Sequence, residues 1–198
     1  MRFSNNRQLG ICNYCRKQTN KDEEINKMEK ILFSREWAMP SAWTFTIKPI
    51  KKLIDRYVGD GMGWIDPFAG YNSPAEFRND LDPQANAQYH LEALEFAQLM
   101  NGKKFKGILY DPPYSFTQIK EHYKAFGKRV TRFDTSMAFY AKAKSAFSEL
   151  IEPGGIAISF GWNSNGFGKS RGFEIIEIMM VAHGGSKNDT IVVVEKKL

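Results

Sequence analysis

Gly107-Ile108-Leu109-Tyr110-Asp111-Pro112-Pro113-Tyr114 is the stretch that decides how this chain folds. Its first half is a short apolar run, and the whole segment from Phe105 to Tyr110 reads as a buried parallel strand. Its second half is a stiff turn at the carboxyl end of that strand. Each proline fixes its φ near −65° and lacks an N–H. Asp111 precedes a proline and is biased towards an extended conformation. A carboxylate and the Pro112 carbonyl can then converge on one point, with the Tyr114 ring beside them as a stacking plate. A planar base that carries an amino group suits such a place: two acceptors for its N–H hydrogens and a π-face against its ring. A plain Pro-Pro turn is the alternative for the tetrapeptide taken alone, so the neighbours decide.

Upstream, Ile47, Ile50, Leu53, Ile54 and Tyr57 recur at helical spacing, and Gly59 and Gly61 end that helix. Gly63–Asp66 is expected to be a first strand, Glu76–Asp80 a second and Ala87–Leu91 a short third. Leu94–Met100 is expected to be helical. Downstream, Phe116–Phe126 and Thr135–Ile151 read as helices, the second with an inner stripe of Phe139, Ala143, Ala146 and Leu150. Pro153-Gly154-Gly155 reads as a hard stop before a fifth strand, Ile156–Phe160. Phe173–Val181 and Thr190–Glu195 read as a closing antiparallel hairpin. Strands alternating with helices, ending in a hairpin, give an α/β fold: an open, mostly parallel sheet with a C-terminal antiparallel hairpin. Residues 1–33 are polar and charged and read as an N-terminal arm, and residues 34–198 as one catalytic domain.

The chain has 198 residues, a net charge of +6 and two cysteines. The length suits one α/β domain with a short extension. The charge favours a polyanionic partner. No apolar run is long enough to span a membrane and no apolar leader opens the chain, so no membrane partner is expected and the setting is read as cytoplasmic. Cys12-Asn13-Tyr14-Cys15 has the spacing of half a zinc knuckle, but no second pair follows. Four ligands are needed, so the reading is two free thiols and no metal is assigned.

In such sheets ligands bind beyond the carboxyl ends of the strands, at the topological switch point. This sequence places polar or special residues at those ends in turn: Asp66-Pro67-Phe68-Ala69-Gly70-Tyr71-Asn72, then Asp80 and Asp82, then Glu92-Ala93, then Asp111–Tyr114. Neither a G-x-G-x-x-G after the first strand nor a phosphate loop is present, which disfavours a nicotinamide- or nucleotide-binding domain.

With these motifs in this order, the chain resembles the S-adenosylmethionine-dependent adenine (N6) amino-methyltransferases of DNA. It resembles a small form of the D-P-P-Y type, with a Rossmann-like class I methyltransferase fold over roughly residues 34–196. The resemblance implies S-adenosylmethionine as cofactor, held by Trp43, Thr44, Asp66, Phe68, Ala69, Gly70, Asp80, Glu92, Ala93 and Asp111. It implies catalytic roles for Asp111, Pro112 and Tyr114: two acceptors for the amino hydrogens and a ring under the flipped-out base. An Asp in the first position favours adenine, where cytosine enzymes more often carry Ser. The pattern is departed from at Asn72, where the family often has a second glycine. The link between the first two strands is near the lower limit for a helical crossover, so the first helix is expected to be stunted or missing.

No segment is large enough for a separate target-recognition domain. Two stretches remain for nucleic acid: the basic, aromatic-interleaved run with Lys120, Lys124, Lys128, Arg129 and Arg132, and the loop after the fifth strand with Trp162, Asn163 and Lys169. Both are expected on the active-site edge. DNA is the expected partner and RNA the alternative. A catalytically silent nucleic-acid-binding protein on the same fold is the rival from another class. With so little surface for reading bases, the expectation is short sequence preference or help from a homodimer or a targeting partner.

Overall fold

In a computed structural model of the chain, residues 30–113, 137–185 and 187–198 are described. The elements run β1 (Leu32–Trp37), a 3-10 turn (Thr44–Thr46), α1 (Lys48–Val58), β2 (Trp64–Asp66), β3 (Phe77–Arg78) and α2 (Ala93–Leu99). There follow β4 (Phe105–Tyr110), α3 (Met137–Leu150), β5 (Ile151–Gly161), a second 3-10 turn (Lys169–Arg171), β6 (Phe173–Ala182) and β7 (Thr190–Lys197). The strands form one seven-stranded sheet in the order β1-β6-β7-β5-β4-β2-β3. β7 runs against β5 and β6, and the other pairings are parallel.

Right-handed crossovers account for which face each connection covers. From β3 through α2 to β4, from β4 to β5 and from β5 to β6, the chain moves one way across the sheet. Those connections pack on one face, where Phe96, Phe139, Ala143, Phe147 and Phe167 meet Ile65, Ile108 and Tyr110. From β1 through α1 to β2 and on to β3 the chain moves the other way. That connection covers the opposite face, where Ile50, Leu53, Ile54 and Val58 meet Trp64, Leu109, Ile158 and Val192. Along β4 the alternation is direct: Ile108 and Tyr110 face α2 and α3, while Leu109 faces α1. Ile50, Leu53 and Ile54 are almost fully buried, each contributing about 1.5–3 kcal/mol of apolar burial. Pro49 lies in the first turn of α1 and Gly59 follows its end.

Several expectations change. β1 carries no clear period-2 pattern in its sequence, yet it pairs with β6 from Leu32↔Glu177 to Trp37↔Ala182 at the sheet margin. The third expected strand is reduced to a single parallel bridge, Asn79↔Tyr89. Pro153-Gly154-Gly155 does not halt the chain before a strand. β5 already begins at Ile151 and runs through these residues, with a register shift opposite Phe105 and Gly107 that absorbs the proline and glycines. The inner stripe of α3 is centred on Phe147, which is fully buried, while Ala146 is half-buried. The crossover from β2 to β3 contains no helix, as its length requires. The expected helix over 116–126 lies outside the described residues, as does the Cys12–Cys15 pair.

Candidate active site

The direction of the chain reverses at β2. It leaves β2 for β3 on one side, and β4 lies against β2 on the other. The carboxyl ends of β2 and β4, carrying Asp66 and Asp111, therefore flank the switch point. A cavity of about 240 Å³ opens there. Its walls include Trp43 and Thr44 ahead of α1, Phe68, Ala69 and Gly70 after β2, Asp80 after β3, Glu92 and Ala93 at the start of α2, and Asp111 and Pro112 after β4. The structure thus brings together residues separated by nearly seventy positions of sequence, from Trp43 to Pro112.

Asp66 takes a different place from the one expected. It is fully buried beneath the loop and is not part of the wall. Its carboxylate accepts the Phe68 N–H at 2.9 Å and the Ser73 hydroxyl at 2.6 Å, which shapes the turn. Burial pushes its pKa up to about 8, against the pull of those two hydrogen bonds. The nearby Asp111 and Asp80 charges add to the rise.

The loop that Asp66 shapes is bound at two further points. Gly70 donates its N–H to Asp80 Oδ2 at 2.7 Å, and Asp80 Oδ1 accepts the Asp82 N–H at 2.9 Å. Gly70 has φ of +52°, a region that side chains rarely adopt, and a Cβ there would meet no atom within 4 Å. Asn79, which the sequence reading passed over, holds the floor. Its Nδ2 donates to the Pro67 carbonyl at 3.1 Å and the Leu91 carbonyl at 2.9 Å, and its Oδ1 accepts the Leu91 N–H at 2.9 Å. One buried amide thus ties the loop after β2 to the segment that carries Glu92 and Ala93. A polar residue inside a short strand next to a strand-end acid was the available signal.

Asp111 is half-buried at the cavity. Desolvation pushes its pKa up to about 7, opposed by a hydrogen bond from the Thr44 side chain. Near neutrality this carboxylate is poised between an acceptor-only state and one that also donates. Trp43 packs edge-on against Tyr71, centroids 4.8 Å apart, and the Tyr71 hydroxyl donates to Asp82 Oδ2 at 2.9 Å. Phe139 and Tyr140 of α3 complete the wall and were not anticipated as site residues. Tyr114, Lys120, Lys124, Lys128, Arg129 and Arg132 lie outside the described residues.

The loop after β5 is held through its backbone by Glu195 and Lys144. Glu195 of β7 accepts the Phe167 and Gly168 N–H groups at 2.5 and 2.8 Å. A Cβ on Gly166 would strike that carboxylate at 2.2 Å, so glycine is needed there. Lys144 of α3 donates to the Gly166 carbonyl and lies 5.4 Å from the Tyr110 ring centre. Desolvation lowers the Lys144 pKa and raises that of Glu195. The loop runs from the carboxyl end of β5 to the amino end of β6, and these two strands point the same way. Trp162 and Asn163 therefore start on the edge that carries Asp111, though neither is in the cavity wall. Lys169, expected beside them, sits at the amino end of β6 on the opposite edge.

No family model and no curated protein matches this chain. Solved structures do. TrmN from Thermus thermophilus aligns at TM-score 0.50 and 18% identity over 77% of this chain and 49% of its own. Burkholderia thailandensis 1,6-didemethyltoxoflavin-N1-methyltransferase, with bound 1,6-didemethyltoxoflavin and S-adenosylhomocysteine, aligns at 0.51 and 11% over 76% of this chain and 77% of its own. The chain spans about half the length of the TrmN chain. At these identities the likeness concerns architecture: the open, mostly parallel sheet with its C-terminal hairpin is the Rossmann-like class I methyltransferase fold.

Proposed function

We propose that this chain transfers a methyl group from S-adenosylmethionine to the exocyclic amino group of adenine in DNA. The observation that carries the reading is the meeting of Asp111 and Pro112 with Phe68, Ala69, Gly70 and Asp80 around one cavity at the switch point.

The residues fit the cofactor on two counts. The backbone beside Gly70 is open and unobstructed by a side chain. Asp80 retains acceptor capacity for sugar hydroxyls, since each carboxylate oxygen accepts one backbone N–H and has a second lone pair. The toxoflavin N1-methyltransferase of the same fold holds S-adenosylhomocysteine, the demethylated cofactor. When bound, S-adenosylmethionine supplies an already activated methyl on sulfur.

The protein's part is then orientation and hydrogen bonding. Adenine's amino nitrogen is a poor nucleophile because its lone pair is delocalised into the ring. The Asp111 carboxylate and the Pro112 carbonyl accept its two N–H hydrogens and draw it towards tetrahedral geometry. The Thr44 hydrogen bond favours the ionised, acceptor state of Asp111 against the desolvation that raises its pKa. The stacking role falls, on the sequence pattern alone, to Tyr114.

The test is calorimetric binding of S-adenosylmethionine, followed by transfer of its isotopically labelled methyl to DNA and RNA oligonucleotides of one sequence. Label on adenine in DNA supports the reading. Label in RNA alone, or no binding of the cofactor, defeats it.

A further inference from the structure

Four strands, β1, β6, β5 and β4, point their carboxyl ends to one edge of the sheet, the edge of the cavity. Of the exposed aromatic side chains among the described residues, all but Phe33, near the start of β1, stand on this edge. Trp37 ends β1 and is 65% exposed, Trp162 follows β5 at 44%, and Trp43 stands at the cavity at 47%. At about 4.8 Å per strand, β1 lies roughly 19 Å from β4 along this edge. The six steps from Ala38 to Thr44 reach at most about 20–22 Å. Ala38 is fastened to β6 through the Ala182 carbonyl at 3.1 Å, and Thr44 bonds Asp111. The connecting segment is thus tied to this edge at both ends, and it carries Met39, 69% exposed, between Trp37 and Trp43 in sequence.

Trp37 has a built seat. Its indole Nε1 lies 3.6 Å from where a Cβ on Gly184 would stand, so the ring rests against a glycine of the turn between β6 and β7. The same turn presents Lys187, which is exposed. An indole and an exposed lysine are thus carried by the same edge, Trp37 against Gly184 and Lys187 three residues further on, its N–H bonded to the Gly184 carbonyl.

We infer that this edge is a docking track for an unpaired stretch of DNA, with a base stacked on Trp37 and a neighbouring phosphate on Lys187, leading to Asp111. The inference rests on the nucleobase-methylating reading above. Aromatic plates interleaved with cations are the chemistry of single-strand binding, because every base has a π-face. In a duplex those faces are hidden between neighbouring pairs, so Trp37 discriminates unpaired from paired strands. The chain's charge of +6 suits a polyanion.

The experiment is fluorescence polarisation with a short labelled oligodeoxynucleotide, single-stranded or annealed to its complement, without cofactor. Trp37→Ala should weaken single-strand binding about 5- to 100-fold and leave duplex binding unchanged. Trp37→Phe should retain most single-strand affinity, since a ring remains. Lys187→Glu should weaken binding and flatten its salt dependence. Equal thermal midpoints for the Trp37 variants would rule out loss of β1 as the cause. Wild-type affinity of Trp37→Ala for the single strand, or equal loss on both forms, overturns the inference. Tighter binding of the matching RNA strand overturns DNA as the occupant. Methyl transfer with no Trp37 effect removes the track and leaves the activity standing. A Trp37 effect with no transfer to any oligonucleotide does the reverse.

Discussion

The Gly70 N–H donates to the Asp80 carboxylate at 2.7 Å, so the acid proposed to meet the cofactor's sugar hydroxyls also fixes the glycine loop of the same cavity. The two roles are coupled. Asp80→Ala should weaken S-adenosylmethionine binding by about 1–3 kcal/mol, through a lost acceptor and a loosened loop. Asp80→Asn should cost less, because one oxygen still accepts the Gly70 N–H. Calorimetric titration separates the two, and unchanged affinity in the alanine variant would remove Asp80 from the site.

Asn79 is buried and makes three hydrogen bonds across two segments of the wall. Asn79→Ala strands two carbonyls and one N–H, and should destabilise the protein by about 2–4 kcal/mol. Denaturant unfolding measures this. Asn79→Asp should be at least as harmful, since a carboxylate would face the Pro67 and Leu91 carbonyls.

Asp66 gives a stability prediction with a definite sign. Its folded pKa, about 8, lies above the ordinary carboxylate value. Between roughly pH 4 and pH 8 the folded chain keeps a proton that the unfolded chain releases, so stability falls as pH rises through that window. Asp66→Asn keeps an acceptor for the Phe68 N–H and has no proton to lose. The variant's unfolding free energy should therefore decline less steeply across the window than that of the wild type. Parallel pH profiles for the two proteins would show that Asp66 is not the group responsible.

Asp111 is an acceptor-only group, and the stronger partner for an amino hydrogen, when ionised, and its pKa is pushed to about 7. Single-turnover transfer should rise from pH 6 to pH 8 as that proton leaves. Removing Thr44's hydroxyl with Thr44→Val should move the midpoint upward, because the hydrogen bond favours the charged form. A midpoint that stays fixed in the Thr44 variant would contradict this linkage.

How much of this was legible beforehand follows from the physics of each element. β2, β4, α1 and the β6–β7 hairpin announce themselves by apolar runs or helical spacing, because both sheet faces are covered. The wall residues Phe68, Gly70, Asp80, Glu92 and Asp111 are legible as a series because each follows a strand or opens a helix. β1 is not legible, since a marginal strand has little to bury and so needs no pattern. Asn79 and Glu195 are hidden for a related reason. Their bonds run to backbone groups 12 and 28 positions away, which no local spacing encodes. Asp66 looks like a ligand contact in sequence, and only the fold reveals that it faces inward to Ser73.

The central claim is that adenine's amino group, held by Asp111, receives the methyl. Its most direct test is single-turnover transfer from labelled S-adenosylmethionine to two oligodeoxynucleotides alike except at one position. One carries adenine there as its only adenine, and the other carries purine, which lacks the amino group. The wild type should label the adenine strand and not the purine strand, with the label released as N6-methyladenine. Asp111→Ala should lower that rate by about 100- to 1,000-fold, a loss typical of removing one pre-aimed hydrogen-bonding group, while binding cofactor nearly as before. Equal labelling of both strands, or an Asp111→Ala variant as fast as the wild type, would contradict the claim.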